Sequence, residues 1–393
     1  MQAFADLIFP ITPEEFFADW YGKRPLHIAA TDERRRQVLD WARLNEILSA
    51  KVYWSENHLK LFLDGRKLPA EDYCDAVTTL DGRRLRADPA KVKLYLSIGA
   101  SLVANAVDPL TPEMRAVGRI LEEELVGYTA ANLYCSFQGR RAFETHFDTH
   151  EVFAIHTEGE KVWRIYEGRE SAPVTQAGGV TEAPRDHERR RGKVLFEVTL
   201  RPGDLLYIPR GQYHDALASS EASLHVTFSV EPMTGLNLFR VLEREAARDP
   251  LFRDWLPHPK AGDGAELRAR LGELGERLKA LASAPDFAEQ VRARQRSVLG
   301  GRVEYDLPNV RPMQGWDVAA GGARVDRGPD GWVLAAGGRR IPVGALHEAA
   351  AWILARPVFG TEELEAWFPS VPRADLHGLI ETFARAGLVK RRP

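Results

Sequence analysis

Residues 144–167 read ETHFDTHEVFAIHTEGEKVWRIYE. Two runs in it, EVFAIHT (151–157) and KVWRIYE (161–167), are rich in β-branched and aromatic residues and are separated by Glu158-Gly159-Glu160, a turn-forming tripeptide. That pattern predicts two adjacent strands. Just ahead of them stands His146-Phe147-Asp148. In an extended chain residues i and i+2 project from the same face, so this tripeptide offers an imidazole and a carboxylate to one metal ion.

Working outward, the same texture recurs in ANLYCSF (131–137), VLFEVTL (194–200), DLLYIP (204–209) and SLHVTFSV (223–230). Short strands joined by brief turns, Arg201-Pro202-Gly203-Asp204 among them, predict a sandwich or barrel of jelly-roll type. A third ligand must come from elsewhere, and the best candidate is His214. It follows a turn, an apolar strand and the rigid Pro209-Arg210-Gly211 bend, which together deliver it to the mouth of the barrel. Two histidines and one carboxylate on one face of an octahedron leave positions open, the arrangement of non-heme Fe(II) oxygenases. His156 and Glu158 form a competing pair, but Glu158 belongs to the turn and should point into water. Lys161 opens a strand. Facing the barrel interior it would be costly unless it met an anion, and the alternative is a solvated lysine just after a turn.

The chain has 393 residues, enough for two or three domains. Lys and Arg total 53 against 56 Asp and Glu, a net charge of −3, so bulk charge does not call for nucleic acid or an anionic membrane. Two cysteines, Cys74 and Cys135, cannot supply a disulfide framework. The N-terminus lacks a basic segment before an apolar core, and no uncharged run is long enough to span a bilayer, so a cytoplasmic protein without membrane association is expected. Thr12, Pro13 and the acids after them predict a helix over 12–20, and a second is expected over 111–126.

Beyond about residue 235 helical periodicity replaces the strands. Leu267, Leu271, Leu274, Leu278 and Leu281 form one apolar stripe, which either packs on its own domain or makes a homodimer seam. From Gly300 a glycine-rich β segment precedes three helix-like runs, 343–355, 361–367 and 373–386. Short helices before a basic terminal turn look like a winged helix. Residues 341–393 carry six basic and six acidic side chains, which argues against direct DNA binding. The expected class is therefore α+β: a double-stranded β-helix domain with an N-terminal helical flank (1–235), a helical dimerisation segment (236–299) and a winged-helix-like domain (300–393).

The order NLYCSF, THFDTHEVFAIHTEGEKVWRIY, PGDLLYIPRGQYHDA, SLHVTFSV resembles the JmjC-domain oxygenases of the cupin superfamily, specifically the ribosomal oxygenase branch. Upstream, TPEEFFADWYGKRPLHI and SIGASLVANAVDPLTPEM are similar to that branch too. The resemblance implies a dioxygenase that uses Fe(II) with 2-oxoglutarate as cosubstrate and hydroxylates an Arg or His side chain of a ribosomal protein. Position by position, it implies that His146, Asp148 and His214 hold the metal. It implies that Lys161, fifteen residues after the first histidine, pairs with the distal carboxylate of 2-oxoglutarate. Arginine stands there in bacterial arginine hydroxylases of the branch and lysine in metazoan histidine hydroxylases; lysine keeps the charge without the bidentate fork, which leaves the subtype open. Asn132, Tyr134 and Ser136 fall where the family draws cosubstrate contacts, with Tyr134 the foremost partner of the carboxylate. His225 falls near the metal-bound end, and His150 on the substrate side.

Other readings stay open at this level. The same site could hydroxylate a free amino acid or a peptide natural product, or demethylate N-methyl lysine by the same chemistry, or the barrel could be a non-catalytic binding module. The loop Arg185–Lys193, with five basic and two acidic residues, is either a solvated surface loop or a gate or RNA contact. Arg210, beside the mouth, could serve an acidic or polar substrate group.

Overall fold

All six strand-like runs form strands. The computed structural model describes the chain except residues 51–53, 80–81, 138–143, 175–187, 219–220, 298–313, 320, 330 and 393. It divides into two compact units, Met1–Val303 and Glu304–Pro393.

The first unit contains thirteen strands among the described residues: β1 (Leu26–Ile28), β2 (Leu59–Leu63), β3 (Arg66–Lys67), β4 (Cys74–Thr79), β5 (Gly82–Ala87), β6 (Ser101–Ala104), β7 (Gly127–Phe137), β8 (Glu151–Glu158), β9 (Lys161–Arg169), β10 (Val194–Leu200), β11 (Leu205–Ile208), β12 (Gln212–Ala218) and β13 (Ala222–Pro232). Eight of them make one sheet in the order β1-β11-β8-β13-β7-β6-β2-β3. A smaller sheet, β10-β9-β12, completes the barrel, and β4-β5 is a separate hairpin. Every strand pair is antiparallel, so consecutive side chains divide cleanly between the two faces of each sheet.

That alternation separates the core into two layers. Leu133 and Cys135 of β7, Phe153 and Ile155 of β8, Leu205 and Tyr207 of β11 and Val226 and Phe228 of β13 face outward, under the helical flank. The opposite faces supply Val152, Ala154, Leu206 and Ile208, which meet Trp163, Ile165 and Leu200 of the small sheet inside the barrel. Burial of this interior is mostly aliphatic at one end and polar at the other, and the polar end is the site described below.

The helical flank is tied on by one buried arginine. Arg35, 4% exposed, donates to the carbonyls of Gly203, Leu7, Phe9 and Ala29 at 2.7–3.1 Å. Five fixed guanidinium donors suit that role, since a buried carbonyl without a donor is costly. The helix expected over 12–20 starts as read, with Thr12 capping Glu15, but its second part, Phe16–Trp20, is π-helical. The helix Pro112–Leu125 is capped by Thr111. An apolar stretch ahead of β6 is the helix Pro89–Ser97, because Asp88 accepts from the Ala90 and Lys91 amides and Pro89 occupies the first turn.

After β13 come helices Gly235–Ala246, Pro250–Arg253, Ala265–Ala282 and Pro285–Arg296. The leucine stripe is split by its packing: Leu267, Leu274 and Leu281 are half-buried, whereas Leu271 and Leu278 are exposed. The second unit holds β14 (Gly315–Val318), β15 (Arg324–Gly328), β16 (Gly331–Ala336), β17 (Arg339–Pro342), β18 (Val358–Gly360) and β19 (Val389–Arg391). They form the sheets β18-β14-β19 and β15-β16-β17, and the three expected helical runs are present as His347–Leu354, Thr361–Trp367 and Arg373–Arg385. Among the described residues no helix is long and apolar enough to cross a membrane.

Candidate metal centre

His146, Asp148 and His214 converge. Their ligand atoms all lie within 4.8 Å of one another, with His214 Nε2 3.6 Å from Asp148 Oδ2 and the two imidazole centroids 4.5 Å apart. The route to this geometry corrects the sequence reading in one respect. Residues 144–150 are irregular, and His146 enters the barrel through a single bridge to His214 in place of a strand. Alternation still holds locally: Phe147 turns the other way and packs edge-on against Tyr213, leaving His146 and Asp148 on the common side.

Backbone carbonyls select the tautomers. His146 Nδ1–H donates to the Glu144 carbonyl at 2.8 Å, and His214 Nδ1–H to the Gln212 carbonyl at 2.9 Å. Each ring therefore keeps its Nε2 lone pair for a metal, the arrangement by which an outer hydrogen bond orients a ligating imidazole. Burial, then the neighbouring His146, lowers His214 to about 4, so it is neutral and able to ligate at physiological pH. For Asp148 burial opposes ionisation, and the imidazoles of His146, His214 and His150 outweigh it and hold the carboxyl below its usual range. A two-histidine, one-carboxylate set with imidazole and oxygen donors fits a divalent first-row metal such as iron. His150 stays outside the set, its Nδ1 donating to the Glu151 carbonyl and its Nε2 4.0 Å from Asp148.

Deeper in the barrel the strand register aligns polar side chains in rows. Directly opposite each other are Tyr134 on β7 and His225 on β13, and His225 and His156 on β8. The Tyr134 and His225 rings stack at 4.8 Å and 5°, and His225 and His156 at 6.1 Å and 16°. One step further lie Ser136 and Ser223, cross-strand partners that are both fully buried. Asn132 and Thr227 are paired one step nearer the other end, and Asn132 Oδ1 accepts from the Ala106 amide. Asn132, Tyr134 and Ser136 thus share one inward face, as expected from their spacing.

Lys161 projects into this pocket from the facing sheet. It is 4% exposed, donates to Ser136 Oγ at 3.1 Å, and has no ion pair among the described residues. Burial pushes its amine down to about 8. Lys161 therefore faces the barrel interior and is not solvated after the turn. Trp163, two residues along the same face, stacks on His214 at 5.9 Å and meets His225 edge-on at 5.5 Å, linking the lysine end to the metal end. Burial, then Lys161 and His156, holds His225 well below its usual value, and burial lowers His156 to about 4. The Nδ1 of His225, the Nε1 of Trp163 and the Oγ of Ser223 are buried without a hydrogen-bond partner among the described residues. Among the described residues this buried amine has no anionic partner, and leaving buried polar atoms unpaired costs about 1–3 kcal/mol each, so a polar, anionic small molecule would satisfy this arrangement.

Trp163, His156 and Ser223 were not singled out from sequence as pocket residues. The available signal was their strand parity with Lys161, His225 and Ser136, which becomes decisive only when the register is known. Two surface readings change. Arg210 donates to the Pro173 carbonyl and does not face the pocket as a free cation. Of the loop 185–193, residues 185–187 lie outside the described residues, and residues 190–193 run along β9, with the Glu167 and Gly168 amides donating to the Lys193 and Arg191 carbonyls.

Residues 111–238 match the JmjC domain family. The chain is 32% identical over 241 residues to the bifunctional lysine-specific demethylase and histidyl-hydroxylase NO66 of Caenorhabditis elegans, covering 58% of this chain and 29% of that protein. It is 31% identical over 234 residues to ribosomal oxygenase 1 of Gallus gallus, covering 58% of this chain and 36% of that protein. The chain thus spans about a third of the length of these relatives. Among solved structures, Escherichia coli ycfD aligns at a TM-score of 0.50 with 17% identity, over 97% of this chain and 98% of that one, which shows a shared fold. The resemblance to the JmjC ribosomal oxygenases is borne out by these matches.

Proposed function

We propose that this chain, whose residues 111–238 form a JmjC domain, is an Fe(II)- and 2-oxoglutarate-dependent dioxygenase that hydroxylates a histidine or arginine side chain of a ribosomal protein. The observation that carries the reading is the pairing of two features in one barrel. His146, Asp148 and His214 bring their ligand atoms together at one end, and at the other Lys161 is buried with no acidic partner among the described residues. Names of the relatives, ribosomal oxygenase and histidyl-hydroxylase, support the class of target.

When bound, iron would supply the oxidation of a C–H bond by dioxygen, coupled to decarboxylation of the oxo acid to succinate. The rest falls to the chain's own residues. Lys161 neutralises the distal carboxylate, and the Ser136 hydroxyl that it now contacts shares that oxygen. Tyr134, whose hydroxyl is held protonated by burial and by the nearby Asp148 charge, acts as a donor. Neutral His225 offers its Nδ1, and Trp163 its indole N–H, both without a partner among the described residues, to the oxygens of the oxo acid. The buried interior excludes water from the reacting centre. His146, Asp148 and His214 would hold the iron through one ligand atom each.

The same proposal extends to the architecture. The exposed Leu271 and Leu278, with Phe239 and Trp255 at 67% and 92% exposure on neighbouring segments, suit a homodimer seam. The order helix, strand, helix, helix, strand over His347–Arg391 supports a winged-helix-like second unit. The deciding experiment is anaerobic addition of Fe(II) and then 2-oxoglutarate to the full chain, reading the visible band that appears when an oxo acid chelates the metal. A band that His146→Ala abolishes, followed by gain of one oxygen atom in a ribosomal protein by mass spectrometry, is the expected result. No band from folded, iron-loaded protein would remove the oxygenase reading.

A further inference from the structure

Behind the metal centre, on the side away from the pocket, lies a second polar cluster that the proposed chemistry does not use. Asp215, the residue after the ligand His214, is 3% exposed. Its Oδ2 accepts from the Tyr166 hydroxyl at 2.5 Å and from the Thr145 hydroxyl at 2.8 Å, and Thr145 is the residue before the ligand His146. Arg191 closes the ring: its guanidinium donates to the Tyr166 oxygen at 2.8 Å and the Thr145 oxygen at 3.2 Å, and its carbon sits 4.6 Å over the Tyr166 ring. Both hydroxyls therefore accept from the cation and donate to the carboxylate.

We infer that this Arg191, Tyr166, Thr145, Asp215 ring is a brace that sets the geometry of the metal centre, with Arg191 as a positioning residue supplied by the basic loop. The inference rests on reading His146, Asp148 and His214 as metal ligands. Three observations carry it. First, residues 144–150 lack a strand ladder; the described backbone ties on them are the two hydrogen bonds exchanged by His146 and His214 and one from the Gly211 amide to the Asp148 carbonyl at 2.8 Å. The link from Thr145 to Asp215 is a side-chain tie between the same two segments, one residue from each ligand. Second, a buried carboxylate is stable as an anion only with compensating charge, and Arg191 provides it through two shared hydroxyls.

Third, the chain is built to bring Arg191 there. A Cβ on Gly168 would lie 2.0 Å from the Arg190 carbonyl, so only glycine lets residues 190–191 approach β9 this closely. The Gly168 amide then donates to the Arg191 carbonyl at 2.7 Å, fixing the backbone from which the guanidinium reaches inward. Its side chain is 27% exposed, so it is no freely solvated loop cation. A lysine could contact one hydroxyl but could not span both and lie over the ring, because it lacks the planar fork.

The test uses Co(II) titration of the full chain, read by the cobalt d–d absorption, with thermal melting alongside. Arg191→Met is expected to bind Co(II) about 10-fold more weakly with a shifted spectrum, as outer-shell changes to metal sites typically do. Arg191→Lys should be intermediate, and Lys193→Ala, which removes one charge from the same segment, should match the wild type. Should Arg191→Met fail to fold, Tyr166→Phe keeps the aromatic side chain under Arg191 while deleting the shared hydroxyl, and a several-fold weakening is expected there. Wild-type affinity and spectrum in a folded Arg191→Met or Tyr166→Phe variant would overturn the brace, as would equal weakening by Lys193→Ala. Wild-type protein that takes up no Co(II) would overturn the metal centre itself and the brace with it.

Discussion

His146 and His214 hold each other by their main chains: the His146 amide donates to the His214 carbonyl at 3.1 Å, and the His214 amide returns the bond at 2.9 Å. This one bridge, formed where the described residues 144–150 are irregular, brings two imidazoles to a common point and leaves room for Asp148 beside them. Because the backbone sets the spacing, removing one ligand side chain should leave the frame standing.

His214→Ala is accordingly expected to melt close to the wild type while losing metal affinity by roughly 100-fold or more, the order seen when coordination shells are disrupted. Equilibrium dialysis against Fe(II) or Co(II), with circular dichroism to verify the fold, checks this. Retained affinity would remove His214 from the ligand set.

Lys161→Met should leave metal binding near the wild-type value and weaken 2-oxoglutarate binding by on the order of 100-fold, the worth of a buried charge-assisted contact. Because the free amine titrates near 8, wild-type affinity for the oxo acid should fall as pH rises above about 8, where the lysine becomes neutral, and the variant should lack that dependence. Isothermal titration between pH 7 and 10 separates the two.

The same lysine makes a prediction for stability without ligand. Its folded value lies below the unfolded one near 10.4, so the cost of burying the charge is fully present below about pH 8 and is relieved as pH rises from there toward 10.4. Lys161→Met should therefore raise the melting temperature at pH 7, and the gain should shrink by pH 10. A variant no more stable than the wild type at pH 7 would contradict this account of the burial cost.

Asp204 carries an acid-side prediction. It accepts from the Ala30 amide at 2.8 Å, the Arg201 amide at 3.0 Å and His27 Nε2 at 3.1 Å. Burial opposes ionisation, but these donors prevail and lower its value. The stabilisation is complete above the ordinary carboxyl range near 4 and is lost as pH falls through the depressed folded value. Asp204→Asn should cost about 2–3 kcal/mol at pH 7 and progressively less on acidification, measured by urea unfolding. An equal cost at every pH would show that charge is not involved.

Leu271→Glu combined with Leu278→Glu alters two exposed side chains, so the melting temperature of the isolated chain should change little. Sedimentation velocity should show a dimer for the wild type and a monomer for the variant. A monomeric wild type at micromolar concentration would end the homodimer proposal.

Much of this was legible from local pattern. Strand runs alternate with period two and are bounded by turn residues, so β8 to β11, β13 and the second half of β7 could be placed within about two residues, although β12 was not read as a strand, and Asn132, Tyr134 and Ser136 could be put on one face. His146, Asp148, His214 and Lys161 stood out because their chemistry is conspicuous in a strand-rich segment. The leucine stripe was legible as a stripe, but not as two lines, one packed and one bare, because periodicity gives a direction and not a neighbour.

What remained hidden depended on contacts between distant segments. The row Tyr134, His225, His156 exists because β7, β13 and β8 pair in one register, and a shift of a single residue would turn each ring to the other layer. No local propensity encodes the irregular course of residues 144–150, which is imposed by the bridge to His214. Arg191 read as one charge among several in a basic loop, and only its approach to β9, permitted by the missing side chain of Gly168, makes it a partner of Tyr166 and Thr145. The sequence by itself determined the strands, their inward faces and the ligand types, since those follow from side-chain chemistry at short range; register and long-range docking, decided by how whole sheets bury their surfaces, chose which of those side chains meet.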